Sequence, residues 1–308
     1  ICLIGSLCQE KSPQITPFNT TRNSVVFQFW WAGVKKDYAA TEIDRNFYLL
    51  LKQTILSDER MLRNKEHSIS FTSDGLQLSG VLHLPDHEPL AVVIGCHGLM
   101  ADKKSPKQIE LARGCTAIGM AYFRFDHRGC GDSEGIFENV TTLENRTSDL
   151  MAAVDAVSHA LEKNMPIGLF GSSLGGTVCL TAAHHISPFS MVTLAAPVQS
   201  RSIQLPDDSP GSLKKELAEN RLIFNVSAAI GSLHHILIVH GSNDETVDIE
   251  NAHRIYSLAQ DPKAQLILKD GDHRISSKAH QERFLRKTVQ WFSDCYHDQF
   301  DAAPTKGI

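Results

Sequence analysis

The chain lacks the pairs and runs that mark several common protein classes. No Cys-x-x-Cys pair occurs among its seven cysteines, Cys2, Cys8, Cys96, Cys115, Cys130, Cys179 and Cys295. Their odd number and irregular spacing indicate neither a zinc ribbon nor a thioredoxin-like site. No basic stripe is present: 30 Lys and Arg stand scattered against 35 Asp and Glu, for a net charge of -5. A nucleic-acid partner is therefore not expected, and acidity this mild speaks for solubility alone. No early apolar run reaches the ~20 residues of a membrane-spanning helix, since VVFQFWWAGV at 25–34 is about half that, so no integral membrane span is expected. The opening ICLIGSLCQE has no basic segment and is too short for a complete signal peptide. Internal repeats and low-complexity tracts are missing too.

What is present describes an ordinary globular chain of 308 residues, 42% hydrophobic and 21% charged. Cys96, Cys115, Cys130 and Cys179 fall in or beside apolar or Gly-rich stretches. They read as small buried hydrophobes in a reducing compartment, and the expected location is cytoplasmic. Residues 1–62 differ from the rest, with a polar stretch, the aromatic run Phe27, Phe29, Trp30 and Trp31, and a helical pattern over about 37–64. They are read as an N-terminal extension. The main domain is placed at 63–298 and a C-terminal tail at 299–308.

From residue 66 a regular rhythm begins. SISFTS (68–73) and LQLSGVLHL (76–84) alternate in polarity around Asp74-Gly75, a turn dipeptide, and predict a hairpin. The continuous apolar run AVVIGC (91–96) suits a strand buried on both faces. Further strands are expected at 121–126, 167–171, 191–197, 235–241 and 264–270. Helices are expected at 105–118, 143–162, 174–186, 248–260 and 278–297. This alternation predicts an α/β fold, a mostly parallel sheet of about eight strands with helices on both faces. Residues 198–233 exceed a simple crossover. They predict a small cap insertion with helical pieces near 211–222 and 224–231.

Gly171-Ser172-Ser173-Leu174-Gly175 matches G-x-S-x-G, the nucleophile elbow. A serine on so tight a strand-to-helix turn needs small neighbours two residues away. The turn also sets Oγ at a helix N-terminus, where developing negative charge is favoured. Serine further needs an adjacent base. Two downstream strands end in loops at the edge where Ser173 sits, carrying Asp244 after one and His273 after the other. Glu245, Asp272 and Asp270 are rivals to Asp244 as the orienting acid. Of the other histidines, His240 is expected to order its turn, and His184, His185, His234 and His235 to have surface or packing roles. Oxyanion donors are expected from the backbone amides of Leu174 and of Leu99, in the His97-Gly98-Leu99-Met100 loop, with Met100 the alternative. The Gly-rich loop 126–135 lacks Gly-Lys-Ser/Thr and the dinucleotide spacing. It reads as structural, with Asp126 and Arg128 ordering its neighbours.

Taken in order, HGLM, FDHRGCGDSEG, GSSLG, HGSNDETV and GDHR resemble the α/β-hydrolase superfamily over about 66–297. They look most like its small-cap serine esterases, the feruloyl (cinnamoyl) esterase type, and its serine aminopeptidase-like group. The resemblance implies a Ser173-Asp244-His273 triad and an acyl-enzyme. It also implies a small-molecule acyl substrate, no metal and no organic cofactor, and a cap that helps form the acyl pocket. Ester hydrolysis is the leading expectation, with peptide, amide or thioester cleavage on the same triad as the alternative. A non-catalytic binding protein on this fold would be expected to have lost a triad member, and all three are here.

Overall fold

Asp74 and Gly75 both carry positive φ, 46° and 83°, as a two-residue hairpin turn of the primed type requires. They join β1 (Glu66–Ser73) to β2 (Leu76–His83) in a register running from Glu66 opposite His83 to Ser73 opposite Leu76. In the computed structural model, residues 66–200, 203, 211 and 222–301 are described. Expectations for residues 1–62, and for a helix near 211–222, fall almost wholly outside them.

Six more strands follow: β3 (Val92–Cys96), β4 (Ala121–Phe125), β5 (Ile167–Ser172), β6 (Ser190–Leu194), β7 (Ile236–Gly241) and β8 (Lys263–Leu268). The sheet order is β1-β2-β4-β3-β5-β6-β7-β8, parallel from β4 to β8 and antiparallel at β2. Between the strands lie α1 (Pro106–Ala117), α2 (Phe137–Val140), α3 (Leu143–Ala160), α4 (Leu174–Ile186), α5 (Ser227–Ile230) and α6 (Glu250–Leu258), and α7 (Lys278–Tyr296) follows β8 and continues as a π-helical turn to Asp301. None of these helices is long and apolar enough to cross a membrane.

Side chains of a strand alternate between faces, and two cores follow. Val92, Ile94 and Cys96 pack with Leu150 and Ala153 of α3 and Val178 and Ala182 of α4. Ala91 and Val93 share the other core with Leu111 and Cys115 of α1 and Phe284 and Phe292 of α7. All five residues of β3, of β4 and of β6 are buried, as strands covered on both faces must be. Local signals set the helix starts. Pro106 opens α1, where its missing N–H costs nothing. The Thr142 hydroxyl caps α3 by accepting from Asn145 N at 3.1 Å.

Two local expectations change. β6 ends at Leu194 rather than 197, because Ala195 turns to φ 52°. Of the piece near 224–231 only Ser227–Ile230 is helical. Leu222, Phe224 and Val226 are buried while Ile223 and Asn225 are exposed, a period of two rather than 3.6. The segment runs antiparallel to Val198–Ser200, with Val226 N donating to Val198 O at 3.0 Å and Ser200 N to Phe224 O at 3.1 Å.

The strand order reverses at β3. Its chain leaves through α1 to β4 on one side, and β5 lies on the other. In open α/β sheets ligands bind in the crevice outside the carboxyl ends of strands at such a switch point. The loop after β3 and the turn after β5 carry the His97–Met100 segment and Ser173.

Candidate active site

Ser173 has φ 51° and ψ -125°, a sparsely populated conformation that costs about 1–3 kcal/mol. The surroundings hold it there. Its N–H donates to Leu194 O at 2.7 Å, and its carbonyl accepts from Gly176 N at 2.8 Å. The flanking glycines are required by contact. A Cβ at Gly171 would lie 2.4 Å from the Gly175 carbonyl oxygen, and one at Gly175 would lie 2.4 Å from Cys96 O. Gly98 is different, since a Cβ there would meet Ser172 O and Ser173 Cβ at 3.4 Å, an ordinary contact.

His273 follows β8 and Asp244 follows β7. The two loops interlock: Asn243 N donates to Gly271 O at 2.9 Å, and a Cβ at Gly241 would lie 2.2 Å from that same oxygen. Across this junction His273 Nδ1 lies 2.8 Å from Asp244 Oδ2 and 3.0 Å from Oδ1. Its Nε2 lies 3.2 Å from Ser173 Oγ. Lys107 of α1 donates to the Arg274 carbonyl at 2.7 Å and ties the histidine loop to the β3 side.

The Asp244 side chain is fully buried. Burial is the largest influence and would raise its pKa. Hydrogen bonds from His240 and His273, and from the Val247 amide, outweigh it and leave the pKa below the usual carboxylate range. The group is therefore ionised and accepts only. It follows that His273 carries its proton on Nδ1, leaving the Nε2 lone pair toward Ser173. His240 Nε2 lies 2.8 Å from Val247 O and 3.2 Å from Asp244 Oδ2. Both neighbours are acceptors, so this nitrogen carries the proton and orders the acid's turn.

The rival acids Asp272 and Glu245 are engaged elsewhere. Asp272 Oδ1 accepts from Ser276 N at 2.7 Å. Glu245 Oε2 lies 3.5 Å from the main-chain nitrogen of His273, not from its ring. Asp270 sits at φ 59° in the turn between Leu268 and Gly271. Leu174 opens α4, so its amide has no acceptor inside the helix. Leu99 and Met100 lie in the β3 loop, and Met100 is largely exposed.

The loop after β4 is a buried polar scaffold. Asp126 pairs with Lys103 Nζ and accepts from Asp132 N at 2.8 Å. Arg128 binds Asp149 of α3 through Nε at 2.8 Å and its own amide at 2.9 Å. Sequence reading missed the other half of this scaffold: Arg146, Asp149, His97 and His127, all buried. The signal was available. In α3 the buried stripe is Leu143, Arg146, Asp149, Leu150, Ala153 and Val157, so two charges stand at helical spacing among apolar residues.

A cavity of about 500 Å³ lies at the opposite end of the sheet, lined by Ile167, Phe189, Met191, His234 and Phe300 among others. These residues flank the starts of β5, β6 and β7, so the cavity is separate from the Ser173 site.

A family model described as serine aminopeptidase, S33, matches residues 87–222. The chain is 29% identical over 222 residues to a Salmonella typhi protein named YfhR, covering 67% of this chain and 74% of that one. It is 25% identical over 214 residues to the mouse mitochondrial palmitoyl-protein thioesterase ABHD10, covering 61% and 70%. Among solved structures, the esterase domain of a Rhodothermus marinus protein matches with a TM-score of 0.59 at 25% identity, over 74% of this chain and 98% of that one. Est1E of Butyrivibrio proteoclasticus, solved with ferulic acid, matches with a TM-score of 0.62 at 21% identity, over 73% and 97%. The last is a likeness of fold.

Proposed function

We propose that this chain, an α/β hydrolase by fold, is a serine hydrolase that cleaves carboxylic esters through an acyl-enzyme. One observation carries the reading: the contact chain from Ser173 Oγ to His273 Nε2 at 3.2 Å and from His273 Nδ1 to Asp244 at 2.8 Å. A nucleophile within reach of a base, itself oriented by a buried carboxylate, is the arrangement that activates a hydroxyl at neutral pH.

In this mechanism Ser173 Oγ attacks the acyl carbon while its proton passes to His273 Nε2. Asp244 holds the imidazole in the needed tautomer and stabilises the imidazolium that forms. The amides of Leu174 and Leu99 hold the oxyanion. His273 then protonates the leaving alcohol, the C–O bond breaks and the acyl group stays on Ser173. Water, deprotonated by His273, repeats the attack and releases the acid with Ser173 restored.

Thioester cleavage on the same triad is the second reading, favoured by the likeness to a protein named as a palmitoyl-protein thioesterase. It changes only the leaving group, a thiol in place of an alcohol. The test is turnover of short p-nitrophenyl esters and matched acyl thioesters by wild type and Ser173→Ala. The substitution is expected to lower turnover about a million-fold. Equal rates in the two proteins, or a folded wild type that a fluorophosphonate does not label at Ser173, would end the proposal.

A further inference from the structure

We propose that Arg146 is a positioning residue for oxyanion stabilisation, its buried guanidinium holding the two peptide planes that carry the Leu99 and Met100 amides. The inference rests on reading Ser173 as the nucleophile. Oxyanion donors act by being aimed before charge develops. The loop from His97 to Met100 is neither helix nor strand, so no regular element aims its amides.

Its carbonyls supply the aim. In a planar trans peptide the C=O and the following N–H point in opposite directions. Among the described residues the one cis bond is Asp261–Pro262. Holding a carbonyl in this loop therefore holds the next amide, facing the other way. The Gly98 carbonyl accepts from Arg146 Nη1 at 3.5 Å and from Ala101 N at 3.3 Å, with His97 Nδ1 at 2.7 Å. The Leu99 carbonyl accepts from Arg146 Nη2 at 3.1 Å. The Leu99 and Met100 N–H groups thus point away from the guanidinium. The loop abuts the nucleophile at Gly98, where a Cβ would stand 3.4 Å from Ser173 Cβ.

The supporting ring is fixed as well. His97 Nε2 accepts from His127 N at 3.1 Å. That leaves the ring proton on Nδ1, where it donates to Gly98 O. Arg146 itself is fully buried on the core face of α3, and Nη2 also reaches Cys130 Sγ at 3.4 Å. A planar fork can address two adjacent carbonyls, whereas an ammonium is a point donor. Arg146 touches the loop, not the reacting atoms, so its effect passes through the amides.

The experiment compares wild type, Arg146→Met and Arg146→Lys as full chains. It measures kcat and KM for a p-nitrophenyl ester and the inhibition constant of an alkyl boronic acid. The tetrahedral boronate formed on Ser173 places an oxygen where the oxyanion would be. Arg146→Met is expected to lower kcat about 100-fold and weaken the boronate by a similar factor, with KM within about threefold. Arg146→Lys is expected to recover about tenfold of that loss. Wild-type kcat and boronate affinity in Arg146→Met would overturn the inference. So would parallel worsening of KM and kcat with the boronate unaffected. Should Arg146→Met fail to fold, Arg146→Lys decides: kcat and boronate affinity falling together at constant KM supports the inference, and wild-type values overturn it. The Ser173→Ala comparison stands apart, because a failure there removes the active-site reading itself.

Discussion

Replacing Gly175 with alanine probes the join between the elbow and the β3 loop. An added Cβ would stand 2.4 Å from Cys96 O, 2.6 Å from His97 O and 2.7 Å from the Cys96 carbonyl carbon. Carbon and oxygen normally meet at ~3.3 Å or more, so the contact falls about 1 Å short. All three obstructing atoms are backbone at the end of β3, and no side chain can swing aside. Overpacking of this kind costs about 1–3 kcal/mol, or about 2–12 °C in Tm for a domain of this size. The strain is relieved by pushing His97 and Gly98 away from α4, which separates the Leu99 amide from Ser173. A misplacement near 1 Å costs about 100-fold in rate. Gly231→Ala is the control, with no atom within 4 Å of its Cβ and a helical φ of -61°. It should be neutral or gain about 0.4–1 kcal/mol. Urea titration, thermal melting and p-nitrophenyl ester kinetics measure both variants. A Gly175→Ala protein with wild-type Tm and kcat would refute the packing argument.

Acidification should destabilise the fold well above the carboxylate range. Burial holds His83 down to about 3, aided by Arg124 and Arg113, and His127 down to about 4, and it depresses His97 as well. These rings are neutral when folded but protonate near 6.5 when unfolded. Their contribution is complete above pH ~6.5 and is lost as pH falls below it, down to about 4 for His127 and about 3 for His83, by up to about 1.4 kcal/mol per pH unit for each. Urea melts at pH 7 and pH 5 check this, and a more stable protein at pH 5 would contradict it. Asp149→Ala removes the fully buried partner of Arg128, whose Nη2 keeps Asp74 Oδ2 and Ser73 Oγ, and leaves the Arg128 amide without its acceptor; by the same melts it should cost about 1.5–3 kcal/mol, and a loss under about 1 kcal/mol would show that the pair does not stabilise the fold. Asp244→Asn should lower kcat roughly 10,000-fold with little change in fold, and activity within about tenfold of wild type would mean that another group orients His273.

Much of the fold was legible because its signals are local. The hairpin at Asp74-Gly75 depends on two residues that tolerate positive φ. The buried strands announce themselves as short apolar runs, and the G-x-S-x-G spacing answers a clash between Gly171 and Gly175 only four residues apart. The segment from 222 to 226 was harder. Its apolar residues fit a helix as readily as a strand over so short a span, and its pairing with Val198–Ser200 made it extended. Arg146 and Asp149 were equally obscure, because a charge on an apolar stripe shows that partners exist but not which they are.

By itself the sequence determined the order of strands and helices, the turn that presents Ser173, and the loops that hold a carboxylate and a histidine, since each follows from sterics and hydrogen bonding among near neighbours. Only the tertiary structure decided which acid faces His273, Asp244 rather than Glu245, Asp270 or Asp272. It also decided that a buried guanidinium lies behind the His97–Met100 loop. Those choices depend on how β3, β5, β7 and β8 lie side by side, and burial of one segment by another distant in the chain leaves no mark in the spacing of either.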